Sequence, residues 1–340
     1  MNPDRPRRCA IEGARRRALA LTGEVHDAAQ RLRRGTDTEA LHDFRVALRR
    51  LRGCLRAYAP WLEPGRKLMR RLRRLARTTN AARDAEVGLE WVRERLPTLE
   101  PREQPGARWL AAYLEARRSR GYRRARTRIR HCWPRLEARL RERLAAGATR
   151  TCVESLAAVS GALILSHADA LERALVMRDA GAHDRQAHRA RIQGKRLRYL
   201  LEPFCARMPG GIPAGVPGAA ETVAALKSLQ DELGDLQDTR TLLDMLRTAT
   251  PDAAAAYGRR VVEIALGAGT ETQLRLARHD DPLPGLLALA RAAAARRAER
   301  RAALRAHGTH RDLIDAARGV AARLTTFDTA PALRAVSRND

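Results

Sequence analysis

Two stretches of the chain place histidine and arginine at spacings suited to phosphate chemistry. Residues 41–52 read LHDFRVALRRLR and residues 187–198 read AHRARIQGKRLR. The pattern His-x-x-Arg-(Val/Ile)-x-x-(Arg/Lys)-Arg-Leu-Arg thus occurs twice, 146 residues apart. Arginine is abundant enough for some matches to arise by chance; the pairs His42/His188, Val46/Ile192 and Leu51/Leu197 are harder to attribute to it. On a helix, His42, Arg45, Arg49, Arg52 and Arg56 fall within an arc of about 80°. His188, Arg191, Lys195 and Arg198 repeat that basic stripe. Guanidinium groups stay charged and donate in planar forks that adjacent phosphate oxygens accept. The chemistry these residues suit is therefore the binding of a multivalent anion. Each imidazole can donate a neutral hydrogen bond, carry a proton beside phosphate, or orient a neighbouring helix, and the residue pattern leaves these roles open.

The elements that position these groups read as amphipathic helices. Phe44, Leu48, Leu51 and Leu55 form an apolar stripe a quarter-turn from the first basic one, and Ala190, Gly194, Leu197 and Leu201 sit beside the second. The helix after the first motif adds Lys67, Arg71 and Arg74 on one side and Arg66, Arg70, Arg73 and Arg77 on the other, about Leu68, Leu72 and Leu75. Across this region only Asp43 and Glu63 are acidic. Like charges at i,i+3 and i,i+4 destabilise a helix unless an anion or water screens them. By contrast, Arg296, Arg297, Arg300 and Arg301 beside Glu299 read as a solvated, acid-paired face.

The whole composition points the same way. The chain has 340 residues and a formal net charge of +27, from 66 basic and 39 acidic residues. Such an excess disfavours compaction and attracts polyanions. Lys67, Lys195 and Lys227 are its only lysines, and that skew is assigned to codon composition, not function. Five scattered cysteines without a C-x-x-C predict reduced thiols. The longest apolar run, 156–165, is too short for a bilayer, and residues 1–17 lack a signal-peptide core. A soluble, cytoplasmic chain with no membrane partner is expected.

Leu, Ala, Arg and Glu dominate and consecutive β-branched residues are rare, which predicts an all-α fold. Breakers such as Pro60, Pro134, Gly147 and Pro251 predict helices over 8–34, 37–59, 65–80, 83–95, 105–131, 134–146, 149–180, 184–206, 218–233, 236–249, 252–279, 284–306 and 310–326. The motif blocks are followed by LARTTNAARDAEV (75–87) and LQDELGDLQDTRT (229–241), aligned at an offset of 154; a Pro/Gly loop at 208–218 absorbs the extra eight residues. A duplication is expected, with halves at 8–147 and 148–327, a hinge near 147–150, and poorly ordered ends at 1–7 and 328–340.

These paired motifs resemble the two halves of a CHAD domain, the conserved-histidine α-helical domain, over roughly residues 10–325. The resemblance implies two pseudo-symmetric antiparallel bundles, each a duplicated four-helix-type half, and a basic groove between them for inorganic polyphosphate. It also implies association with polyphosphate granules or polyphosphate-metabolising enzymes; no cofactor and no catalysis are expected, because the sequence shows no carboxylate cluster with metal-ligand spacing and no Gly-rich nucleotide loop. Carried over by motif position, His42, Arg45, Arg49, Arg50 and Arg52 take the ligand-facing places of the first copy; Arg71, Arg73 and Arg74 of the following helix join them from the basic stripes, Arg73 falling opposite Lys227 in the repeat. His188, Arg191, Lys195, Arg196 and Arg198 take those of the second, with Lys227 after it. Tyr199, Glu202 and Phe204 match as packing and orienting residues. The first copy has TTNAARD where the second has the usual Leu233-Gly234, which puts the turn there in question. With the chain beginning almost at the first helix, a stand-alone member is expected.

Three rival readings are weaker. HDFR resembles a histidine-kinase phosphoacceptor box, but Arg189 replaces the acid in the second copy and no Gly-rich nucleotide loop is present. Metal binding by His307 and His310 lacks further ligands. Aromatics make up only 4% of residues, too few for base-stacking platforms, so only nonspecific nucleic-acid binding is expected. A helical scaffold for a protein partner is the remaining alternative.

Overall fold

The structure, a computed structural model, describes residues 9–34, 37, 39–146, 154–176, 183–205, 215–267, 269–306 and 310–329. Among these residues there is no strand, only an isolated bridge between Cys9 and Ser155, and the fold is all-α. Twelve α-helices follow one another: α1 (Ala10–Arg34), α2 (Ala40–Ala57), α3 (Ala59–Leu62), α4 (Arg66–Arg77), α5 (Asn80–Arg95), α6 (Gln104–Ala146), α7 (Leu156–Leu175), α8 (His183–Leu201), α9 (Ala219–Leu266), α10 (Glu271–His279), α11 (Leu283–Ala306) and α12 (Arg311–Thr329). The expected hinge near 147–150 and the chain ends 1–7 and 330–340 lie outside the described residues.

Three expected breaks do not occur. Pro134 lies inside the 43-residue α6, while Gly234 and Pro251 lie inside the 48-residue α9. An interior proline loses one hydrogen bond and crowds the preceding turn. Pro134 and Pro251 are both exposed, so water can satisfy the freed carbonyls, while Trp133, Leu136, Ala249 and Ala253 stay buried and hold the axis on either side. Conversely, the single helix expected over 252–279 is divided after Leu266, and Thr270 and Gln273 form a reciprocal capping box at the start of α10.

The helices form two compact units. The first comprises Met1–Arg77, Arg126–Leu233 and His307–Asp340; the second comprises Thr78–Ala125 and Gly234–Ala306. Each unit therefore draws on both sequence halves. The divisions at 77/78 and 233/234 both fall within the second repeated block. The first copy ends a helix at Arg77, whereas the second runs on through Gly234, so the chain breaks at the copy that lacks the Leu-Gly pair.

Both motif helices lie in the first unit, where α2 packs on α1, α4 and α8, and α7 packs on α1, α8 and α12. The apolar stripes do what their spacing predicts: Phe44, Leu48, Leu51 and Leu55 are buried on α2, Leu68, Leu72 and Leu75 on α4, and Ala190, Gly194, Leu197 and Leu201 on α8. Full burial of each large side chain stabilises by about 1.5–3 kcal/mol. Phe44 also meets Trp133 of α6 edge-on, with ring centroids 6.2 Å apart. Gly53 permits the approach of α8 to α2, since a Cβ there would sit 3.3 Å from Tyr199. The second unit is built on Leu89, Val92, Leu110, Leu114, Leu246 and Leu289.

Candidate functional site

The arginines of α2 and α4 gather because the chain reverses between these helices. Pro60 opens α3 in its first turn, Glu63 ends it with φ +41°, and Gly65 at φ +76° turns the backbone into α4. A glycine is needed at the last position because an L side chain is strained there. The reversal lays the last turns of α2 beside the first turns of α4, and the two apolar stripes dock while the basic faces meet.

A cleft of about 870 Å³ results in the first unit. Six arginines face it: Arg52 and Arg56 from α2, Arg66, Arg70 and Arg73 from α4, and Arg143 from α6. Glu63 is its only acid, and Leu55, Pro64 and Met69 supply part of its floor. Arg143 is anchored at the rim by donating to the Glu63 carbonyl at 3.4 Å. Arg52 is the centre of the charge. Burial, with Arg56, Arg73, Arg77 and Arg49 close by, pulls its guanidinium down to about 10, and its Nε is buried without a hydrogen-bond partner among the described residues. It remains charged at neutral pH, so the free protein holds a crowded cation there.

The positive charge continues to the second motif helix. Arg56 acts on Arg196 of α8, which burial first and Arg56 second hold below the ordinary arginine value. His167 of α7 is likewise held low, by burial and then by Arg196, with Arg56 adding to the effect and the hydrogen bond that its Nδ1 donates to the Gln193 side-chain oxygen opposing it. A run of guanidinium groups thus leads from Arg73 through Arg52 and Arg56 to Arg196, within one unit.

The structure sorts the residues singled out from sequence. Arg49, Arg52 and Arg73 share the cluster just described, and Arg196 extends it. Arg50 and Arg198 instead meet at a carboxylate: Glu202, 3% exposed, lies 3.3 Å from Arg50 and 3.5 Å from Arg198. Glu202 therefore ties the two motif helices together, the orienting part its motif position implies. Arg45, Arg191 and Lys195 are half-buried on α2 and α8. Arg71, Arg74 and Lys227 are exposed and do not line the cleft. His42 and His188 are also exposed, so neither orients a helix through burial. Asp43, one of the two acids near the stripe, is engaged by Arg31 of α1 at 2.6 Å.

Four arginines of the cluster, Arg56, Arg66, Arg70 and Arg77, stood on the basic stripes without being assigned to the site. Arg143 carried no local signal, since only the fold brings α6 to the cleft. In the second unit, Arg296 and Arg300 pair with Asp235 at 3.5 and 3.0 Å instead of Glu299, which leaves them acid-paired through a different partner. Among the described residues no group of three or more His, Cys, Asp and Glu side chains is placed to hold a metal ion, and no helix is long and apolar enough to cross a membrane. The His307 half of the His307/His310 pair lies outside the described residues.

Comparison with known proteins places this arrangement in context. The family model of the CHAD domain matches residues 17–247. Among solved structures, the chain is similar to the crystal structure of the CHAD domain from the plant Ricinus communis, with a TM-score of 0.58 and 24% identity, covering 80% of this chain and 92% of that one. At that identity the likeness concerns the fold. No curated protein matches the chain.

Proposed function

The chain belongs to the CHAD domain family, and from that premise we propose that its first unit binds inorganic polyphosphate along the run Arg73–Arg52–Arg56–Arg196. The observation that carries this reading is the crowding of Arg52 by four other arginines in a cleft with a single acid. Like charges held this close oppose folding in the free protein, and a bound polyanion turns the same arrangement into attraction. Polyphosphate suits the run better than a nucleic acid does. It carries about one charge per phosphate, has no bases to stack, and is flexible enough to follow side chains from α4 across α2 to α8.

Each guanidinium fork replaces part of a phosphate's hydration and counterion shell. Binding is then driven largely by counterion release, and log K falls against log salt by roughly one unit for every phosphate neutralised. Glu202 keeps α2 and α8 in register so that Arg56 and Arg196 present one surface. Reaching both motif helices makes the second engagement intramolecular and raises affinity above either stripe alone. The role is that of a binding module without turnover, located in the cytoplasm at polyphosphate granules or beside polyphosphate-metabolising enzymes.

A competition titration at physiological salt tests this, with long-chain polyphosphate against duplex DNA and against RNA. Polyphosphate is expected to displace both. Tighter binding of either nucleic acid would overturn the proposal, and phosphate release from polyphosphate that disappears in His42→Ala would overturn its non-catalytic part.

A further inference from the structure

A second cavity, of about 440 Å³, opens among α1, α2, α7 and α8 of the first unit. Its size falls in the range of pockets that take small organic ligands, roughly 300–1,000 Å³. Small or aliphatic residues make most of its wall, among them Ala14, Gly53, Ala57, Leu163 and Leu200. Gly53 and Ala57 repeat one turn apart on α2 and leave space between the longer side chains of Arg50 and Arg56, which also line the cavity. A chain of phosphates, hydrated at every unit and without an apolar part, gains nothing from such a wall.

The polar groups on the wall are not balanced as a closed core would require. Arg50 and Glu202 approach as an ion pair at 3.3 Å, although Arg50 Nε and Glu202 Oε2 are each buried without a hydrogen-bond partner among the described residues. Arg56 and Arg196 form a second group with His167, and the charges acting on His167 are both positive. The Nε of Arg196 is buried and has no hydrogen-bond partner among the described residues. A purely apolar guest would leave that donor unsatisfied, and a purely ionic one would leave the apolar wall in contact with water. One ligand class answers both. We propose that this chamber binds a single-chain alkyl anion, with its carboxylate or phosphate head on Arg56 and Arg196 and its tail between α1 and α2. The apolar chamber is separate from the cleft that Arg52 and Arg73 line, but its two head-group arginines, Arg56 and Arg196, also stand at the end of the polyphosphate run.

Calorimetric titration of the full chain tests this with decanoate, decyl phosphate, decanol and inorganic phosphate, each below its micellar concentration. At least one of the two alkyl anions is expected to bind at least about tenfold more tightly than decanol and inorganic phosphate. The tighter of the two identifies the head group. In the variant Ala20→Leu/Ala57→Leu, which fills the chamber with good helix formers, alkyl-anion binding should fall at least about tenfold while long-chain polyphosphate binding stays unchanged. If circular dichroism shows that variant to be misfolded, Leu163→Trp fills the same space from α7 and must give the same loss. Absence of alkyl-anion binding, equal binding of decanol, or undiminished binding in a folded, filled variant would each overturn the proposal. Loss of polyphosphate affinity in the filled variant would also overturn it, because the chamber would then belong to the polyphosphate site. Failure of the polyphosphate reading shows separately, as weak polyphosphate binding by the unmodified chain.

Discussion

Replacing Arg52 by methionine should move stability and binding in opposite directions. Arg52 sits at i,i+3 from Arg49 and i,i+4 from Arg56, with Arg73 and Arg77 of α4 adding to the same field. Each like-charge pair at these spacings costs about 0.2–0.5 kcal/mol, so relief of the two local pairs alone is worth about 0.4–1 kcal/mol. Methionine keeps an unbranched stem against Leu55 and the cleft floor and removes the charge. In the absence of ligand, Tm should rise by about 1–3 °C. The same change removes a charge-assisted contact worth about 1.5–3 kcal/mol to a bound phosphate, so long-chain polyphosphate affinity should fall about 10- to 100-fold. Its salt slope should drop by about one unit. Differential scanning calorimetry reads the first effect, and fluorescence titration across a salt series the second. A lower Tm would show that Arg52 has a stabilising partner and is not a crowded cation. Unchanged polyphosphate affinity would remove the cleft from the binding path.

Further outcomes follow from individual side chains. Glu202→Gln leaves Arg50 and Arg198 without their shared carboxylate and should destabilise the chain on the order of 3 kcal/mol in urea denaturation. His167 titrates below the ordinary histidine value, so the unfolded chain takes up the proton first as pH falls from about 6.5. Stability is free of this penalty above that pH and declines below it, and His167→Gln should flatten the decline in urea midpoints measured from pH 7 to pH 5. Substituting glutamine at Arg296, Arg297, Arg300 and Arg301 removes four charges from the second unit. It should change polyphosphate affinity less than Arg52→Met does; an equal loss in the same titration would mean diffuse electrostatics.

The legibility of the molecule in its sequence follows from how local each signal is. The helical class and the buried stripes of α2, α4 and α8 depend on neighbours three and four residues apart, and those spacings are written in the chain. Interior breaks were misjudged at Pro134 and Pro251 because a proline's effect depends on whether its exposed side faces water, which only packing decides. The Thr270–Gln273 capping box was present in the sequence as a Thr-x-x-Gln pattern and marks the helix start that composition obscured. For the site, the basic stripes of α2 and α4 were readable from the near absence of acids. Glu202 stands at i,i+4 from Arg198, a spacing written in the chain, but its capture of Arg50 was not readable, since the two are 152 residues apart. Arg143 joins the cleft only because the Gly65 reversal and α6 meet there. Local pattern thus identifies cationic helices, and long-range packing decides which cations are already neutralised.

The central claim is that one polyphosphate chain runs over Arg73, Arg52, Arg56 and Arg196 in the first unit. A crystal structure of the full chain with a short polyphosphate tests it directly. The account predicts successive phosphates within hydrogen-bond distance of Arg52, Arg56 and Arg196. Phosphates bound only to the arginines of α11, with the cleft holding none, would contradict it.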